Sequence, residues 1–355
     1  MKQLVVNLVS NGPSGAPLWF ESANGNQSDK TAFHATIKAF REQLTQADDF
    51  IWVADSALYS KKHLEACPVR WITRVPHSVK RVKELIGSEQ KRDWVSLADG
   101  YQGVFVDSQR AQEQWLLIQS DAATARELAT LERKISREDQ QQQTQLNALA
   151  RRRFACPTDA TRETVKLAKT LKWHQLKVTP DWHGPEDDKP GYQIKITLER
   201  DEKKIAVSQR ACGYFMLASN DPNLDASALL SHYKAQDNVE RGFRFLKDQD
   251  FRLSHVLLKN NQRIDALLMI MTLALLLYNI IQYRITTGMQ EHDIHYLGAN
   301  KKSTQKLSVK WFIFNLKGSV QVIQSGQATY CEHLSGPSKQ VLTLLGEEVL
   351  RIYFG

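Results

Sequence analysis

The sequence predicts an α/β protein. Two short and wholly apolar runs, residues 50–54 and 213–218, are typical of strands that are buried on both faces of a sheet. Near the N-terminus, residues 3–10 and 17–22 flank a turn-forming stretch at residues 11–15, which predicts a β-hairpin. Segments with helical periodicity lie between and after these strands, so strands and helices alternate along the chain.

Further strands are predicted for three segments in the middle of the chain, residues 70–75, 101–106 and 114–118. Residues 192–198 alternate between apolar and polar side chains. After a turn at residues 200–204, Ile205 and Val207 continue this alternation. The pattern predicts a second hairpin with one buried face, formed by residues 192–198 and the segment around Ile205.

Helices are predicted for a segment that begins at Ser28 or Asp29 and runs to about residue 45, and for residues 61–66, 80–87 and 121–153. Residues 266–281 form a run that is nearly all apolar. This run contains Asn279 and is shorter than the roughly 20 residues that usually span a membrane. We therefore expect a buried core helix here instead of a membrane segment.

The composition is that of an ordinary water-soluble protein, with 42% hydrophobic and 24% charged residues. The formal net charge of +8 favours polyanionic partners. The four cysteines are scattered and include no Cys-x-x-Cys pair, a pattern that favours free thiols in a reducing compartment over a disulfide framework or a zinc site. We therefore expect a cytoplasmic protein with no membrane partner.

One segment concentrates side chains that are useful for chemistry. On a continuous helix at about 100° per residue, Tyr233, Gln236, Glu240 and Lys247 fall within about 60° of one another. A carboxylate close to an ammonium, a phenol and an amide suits a metal ion on one side and a phosphate backbone on the other. From periodicity alone, an amphipathic helix with a solvated polar face is the alternative interpretation.

The same spacing resembles a known family motif. The order Tyr, two residues, Arg, three residues, Glu, six residues and Lys marks the DDE transposases of insertion sequences of the IS-four type. Here Gln236 stands where the family usually has Arg, so a neutral amide replaces a bidentate cation. By this resemblance, Tyr233, Gln236 and Lys247 contact DNA phosphates, and Arg241 and Arg244 on the same helix extend a basic track.

The resemblance also implies a metal-dependent active site. Residues 52–59 are similar to the second acidic motif of the family, so Asp55 is expected to be the second catalytic and metal-binding carboxylate and Glu240 the third. Intact members are expected to hold two Mg²⁺ or Mn²⁺ ions. The first acid of the family lies on a strand ahead of the hairpin, where this chain has only Met1 and Lys2. We therefore expect an N-terminally shortened copy without the first strand and one metal ligand.

The fold implied by the resemblance is a ribonuclease-H-like mixed sheet flanked by helices, with a large α+β insertion between the second and third acids. The expected division has four parts: residues 1–76 as the first part of the core, 77–208 as the insertion, 209–285 as the second part of the core with the catalytic Glu helix, and 286–355 as a C-terminal region.

The function implied by the resemblance is cleavage and joining of double-stranded DNA at insertion-sequence ends and target sites. Because one ligand is expected to be missing, we expect strand cleavage to be absent or very weak. Two alternatives stay open. The chain could be a catalytically inactive DNA-binding or subunit-pairing fragment that inhibits full-length transposase through self-association. It could also be an inert remnant that folds poorly because a sheet edge is open.

Overall fold

The computed structural model describes residues 4–24, 29–44, 50–56, 59, 69–88, 91–98, 100–110, 112–183, 191–246, 260–317, 320–324, 327–332 and 334–354. The chain divides into two compact units. The first unit comprises Met1–Val69 together with Ser231–Gly355, and the second comprises Arg70–Leu230. Strands and helices are both abundant, which confirms the predicted α/β class.

The described strands are β1 (Leu4–Ser10), β2 (Pro17–Asn24), β3 (Ile51–Ala54), β4 (Arg70–Val75), β5 (Val95–Ala98), β6 (Tyr101–Val106), β7 (Gln114–Ser120), β8 (His174–His183), β9 (Gly191–Arg200), β10 (Tyr214–Ser219), β11 (Tyr296–Leu297), β12 (Ser303–Thr304), β13 (Val320–Gln324) and β14 (Gln327–Glu332).

The described helices are α1 (Asp29–Arg41), α2 (Lys80–Gly87), α3 (Asp121–Ala150), α4 (Pro157–Ala168), α5 (Glu202–Arg210), α6 (Ala226–Lys234), α7 (Gln236–Leu246), α8 (Asn261–Glu291), α9 (Val309–Leu316), α10 (Gly336–Thr343) and α11 (Glu347–Phe354). The predicted helix at residues 61–66 lies outside the described residues.

The sheet of the second unit has an apolar centre. Its strands lie in the order β4–β10–β7–β6–β5, and each pair of neighbours is antiparallel. Met216 of β10 lies opposite Leu117 of β7 on one side and Val75 of β4 on the other, and all three residues are fully buried. The predicted buried strand at residues 213–218 is therefore confirmed, with bounds one residue later in the chain.

One predicted hairpin is wrong. Ile205 and Val207 lie in α5, and the hairpin is formed by β8 and β9. The Asp201 side chain accepts a hydrogen bond of 3.2 Å from the backbone N–H of Lys204, which caps α5 at its N-terminus. Because this cap starts a helix, Ile205 is buried against α3 while Val207 is exposed, an arrangement that the alternating pattern alone could not distinguish from a strand.

A buried carboxylate joins α3 to the start of β8. Glu138 accepts hydrogen bonds from the backbone N–H groups of Lys172 at 2.8 Å and Trp173 at 2.9 Å, and the His174 ring lies 2.7 Å away. The second ring nitrogen of His174 lies 2.7 Å from Asp139. Burial would raise the pKa of Glu138, but the hydrogen bonds from Lys172, His174 and Trp173 outweigh it and hold that pKa below its ordinary value.

We expect Glu138→Gln to destabilise the second unit by about 2 kcal/mol at neutral pH. A carboxyl whose pKa is lower in the folded state stabilises that state fully above its unfolded pKa, and this contribution is lost as the pH falls through the folded pKa. The free energy of unfolding from urea titrations should therefore fall below about pH 4.5 in the wild type and fall less in the variant.

The exposed carboxylate of Glu132, which pairs with Arg200, provides the control. Glu132→Gln should leave the pH-dependent step in place. The same step in Glu138→Gln as in the wild type would contradict the assignment of this pH dependence to Glu138.

In the first unit, three aromatic rings connect β2, α1 and β3. Trp19 meets Phe40 edge-on with 6.3 Å between ring centroids, and Phe40 meets Trp52 edge-on at 5.6 Å. Phe40 and Trp52 are buried. Since edge-to-face pairs of buried rings are favourable, this row fixes α1 against both the hairpin and β3.

The loop between β1 and β2 is held by side chains from two helices. Asn238 of α7 donates hydrogen bonds to the backbone carbonyls of Gly12 at 3.0 Å and Pro13 at 3.1 Å, and Asn279 of α8 donates one to Gly15 at 2.7 Å. We call this set of contacts the hairpin clasp. Gly15 has φ +69°, and a Cβ there would lie 2.9 Å from the Cβ of Asn238, so the clasp requires glycine.

Helix α8 is buried along one side and exposed along the other. Its buried side contributes to two apolar clusters, one with Leu8 of β1 and one with α9 and α10. The exposed side carries Met269, Ile270, Leu273, Leu277 and Ile280. Gln262–Glu291 is long and apolar enough to cross a membrane, a criterion that core helices of globular proteins also meet. The expected core helix thus also has an apolar side that is exposed.

We expect Gly15→Ala to destabilise the first unit by about 1–3 kcal/mol, because the added methyl group strains the backbone and displaces Asn238. Gly336→Ala is the control: a Cβ at Gly336, the first residue of α10, would meet nothing within 4 Å. Urea titrations of both variants check this, and an equal effect of the two substitutions would contradict the clasp.

Candidate active site

The segment that carries the transposase-like motif consists of two helices. The prediction of one continuous helix from Tyr233 to Lys247 is wrong, because α6 ends at Lys234 and α7 begins at Gln236. Ala235 between them forms a turn. Its Cβ lies close to the hairpin loop, 3.7 Å from where a Cβ added at Gly12 would stand. The angle between Tyr233 and Glu240 therefore does not follow from a single helical repeat.

Glu240 lies on the side of α7 that faces away from the hairpin clasp. Asn238 holds the hairpin loop two residues before it. Gly242, two residues after Glu240, is buried. A Cβ added at Gly242 would make a tight contact with the Leu275 side chain of α8. Positions i and i+4 share a helix face, whereas the position midway between them points about 160° away. Anchoring through Asn238 and Gly242 therefore leaves Glu240 exposed, as observed.

Asp55 follows β3 directly and is exposed. The strand is anchored by Trp52 and Ala54, which are buried, while Ile51 and Val53 are half-buried. The Asp55 carboxylate accepts a hydrogen bond of 2.6 Å from the backbone N–H of Ser56. This local contact holds the carboxylate beside the backbone at the strand end.

The remaining predicted DNA contacts are only partly described. Tyr233 and Gln236 are half-buried, at the end of α6 and the start of α7. The backbones of Arg241 and Arg244 belong to α7, but their side chains are outside the description, and Lys247 lies wholly outside it.

The donor chemistry of Asp55 and Glu240 suits magnesium, which takes oxygen ligands and binds through one or two carboxylates together with substrate phosphates. Both carboxylates belong to the first unit. Across the described ranges, no group of three or more His, Cys, Asp and Glu residues is arranged to hold a metal ion.

Sequence reasoning missed the residues that position the acidic helix. Asn238 lies inside the recognised motif, between Gln236 and Glu240, but no role was predicted for it. Asn279 carried a signal, since it is a buried polar residue inside an apolar run. Gly15 was predicted only as a turn residue.

Comparison with known proteins identifies the family. The model of the family described as "Transposase DDE domain" matches residues 2–277, which include both candidate carboxylates. No curated protein and no solved structure matches significantly. Because the match extends over more than half of the sequence, the chain belongs to the DDE transposase domain family.

Proposed function

We propose that the chain is a transposase of the IS-four type that acts on double-stranded DNA at insertion-sequence ends and target sites, with Asp55 and Glu240 as catalytic carboxylates. The observation that carries this proposal is the family match, which includes both acids. Their exposure on anchored elements supports it, since a carboxylate that serves a DNA strand must be accessible from solvent.

Each predicted residue has a separate role in the proposal. Asp55 and Glu240 would hold Mg²⁺ or Mn²⁺. When bound, such ions activate the attacking oxygen and stabilise the leaving one. The Tyr233 hydroxyl and the Gln236 amide donate hydrogen bonds to phosphate oxygens. Lys247 adds positive charge along the DNA backbone together with Arg241 and Arg244, which belong to α7.

The fold that accompanies this proposal is ribonuclease-H-like, with core segments at residues 1–76 and 209–285, an insertion at 77–208 and a C-terminal region at 286–355. A cytoplasmic, DNA-associated location and self-association belong to the same proposal.

The alternative is a catalytically inactive DNA-binding or subunit-pairing fragment that inhibits full-length transposase. It shares the proposed DNA contacts of Tyr233, Gln236 and Lys247 and does not require the two carboxylates. Both candidate functions require the folded first unit, so they differ in catalysis and not in stability.

With Asp55 and Glu240 as the proposed metal ligands, we expect strand cleavage with Mg²⁺ or Mn²⁺ to be absent or very weak, because two carboxylates bind and place metal ions less well than three. A nicking assay on terminal-inverted-repeat DNA measures this directly. Turnover at the rate of an intact family member would contradict the prediction. Inhibition of that member by added chain would favour the alternative, and failure of the chain to remain soluble would favour an inert remnant.

Metal binding tests the two acids independently of turnover. We expect Asp55→Asn and Glu240→Gln each to lower Mn²⁺ affinity, measured by isothermal titration calorimetry in the presence of DNA, by about tenfold or more. Asp237→Asn is the matched control, because Asp237 is an exposed carboxylate on the same helix. Equal losses in all three variants would show a general charge effect.

We expect Gln236→Arg to strengthen DNA binding several-fold, because a guanidinium binds phosphate through two charge-assisted hydrogen bonds. Gln290→Arg places the same charge at the exposed end of α8 and provides the control. Fluorescence anisotropy with labelled duplex measures both affinities. A gain of equal size in the control would remove the special role of position 236.

A further inference from the structure

Helix α9 presents a face that combines lysines with aromatic rings. Val309 and Phe312 are buried in the C-terminal core of the first unit. At about 100° per residue, Lys310, Phe314 and Lys317 lie on the opposite side, within about 60° of one another. All three are exposed, and Phe314 is 56% exposed. A large aromatic ring is therefore exposed between two cations, outside the core.

The aromatic part of this face is held in place. The ring of Trp311 stacks on that of Phe314, with 5.4 Å between centroids and an interplanar angle of 15°. The Trp311 indole N–H donates a hydrogen bond of 2.9 Å to the backbone carbonyl of Leu297 in β11. The ammonium group of Lys317 lies 5.8 Å from the centre of the Phe314 ring. Phe314 is therefore a ring held by a stacked neighbour, with a cation beside it.

The surrounding segment is strongly basic. Between residues 294 and 331 there is no Asp or Glu, and the charged residues are Lys301, Lys302, Lys306, Lys310 and Lys317. All five lysines are exposed. Lys301 and Lys302 lie in the turn that joins β11 to β12, and the hydrogen bond from Trp311 to Leu297 connects this turn region to α9.

We propose that this basic aromatic face, formed by Trp311, Phe314, Lys310 and Lys317 with Lys301, Lys302 and Lys306 in the adjoining segment, binds unpaired DNA. A base stacks on Phe314, and the lysines contact the phosphates on either side of it. Exposed aromatic rings beside a track of cations are the usual platform for single strands, because every base has a face that can stack and every nucleotide carries a phosphate. The Lys317 ammonium can leave the ring for a phosphate, since its stem is flexible.

This face is distinct from the candidate active site. All of its residues lie outside residues 2–277, the part matched by the family model, and it includes neither Asp55 nor Glu240. The inference can therefore hold whether or not the chain cleaves DNA. Tests performed with EDTA and without added metal separate the two, because they measure binding that does not depend on metal ions held by the carboxylates.

The experiment compares variants of the full chain by fluorescence anisotropy with labelled 20-nucleotide oligothymidine and with a duplex. We expect Phe314→Leu, which keeps an apolar side chain but removes the ring, to weaken oligothymidine binding about five- to tenfold. Phe314→Trp should retain the affinity, because it restores a ring. Both variants change an exposed side chain, so the fold is expected to persist and circular dichroism checks this.

The lysines are tested by salt dependence. Lys310→Gln and Lys317→Gln should each reduce the slope of log affinity against log salt by about 0.7 for a single strand. Lys203→Gln, an exposed lysine in α5, is the control and should leave the slope unchanged.

Three results would overturn the proposal: equal affinity of Phe314→Leu and the wild type for oligothymidine, equal losses for Phe314→Leu and Phe314→Trp, or an unchanged salt slope in the lysine variants. Binding of the same variants to anionic lipid vesicles is also measured. If Phe314→Leu loses vesicle binding and keeps oligothymidine binding, the face binds a membrane surface and the DNA assignment is wrong.

Discussion

The arrangement of the first unit depends on three hydrogen bonds that carry no charge. Asn238 and Asn279 donate side-chain N–H groups to backbone carbonyls of the loop between β1 and β2. At Gly15, which is buried, the bond satisfies a carbonyl that would otherwise lose its water on burial. Since Asn238 belongs to α7 and Asn279 to α8, the loop joins the two helices to the hairpin, and Glu240 takes its exposed position from this anchoring.

The candidate carboxylates are supported by different kinds of contact. Asp55 follows a strand fixed by a row of aromatic rings through Phe40 and Trp52. Glu240 projects from a helix fixed by an amide and by a buried glycine. Both carboxylates are exposed. Solvated carboxylates bind hard cations weakly by themselves, so phosphate oxygens of a nucleic acid would have to complete the coordination.

The C-terminal part of the first unit also contains a helix that is anchored on one side and exposed on the other. One side of α9 is buried through Phe312, and the other presents Phe314 between lysines. The stacked pair with Trp311 and the hydrogen bond from its indole order the ring before any ligand is present. Such preorganisation lowers the entropy lost on binding, which favours a role in recognition over incidental exposure.

The sequence by itself determined the α/β class, most strand and helix positions, and the family, because apolar runs and motif spacing are local properties of the chain. It predicted the strand at residues 213–218 within one residue, but it placed Ile205 in a strand, since alternation does not show that Asp201 caps a helix. Only the tertiary structure decided that Ala235 interrupts the motif, that Asn238 and Asn279 clasp Gly15, and that α8 and α9 each keep one side exposed. These features depend on contacts between residues more than two hundred positions apart or on burial by distant elements, which no local pattern encodes.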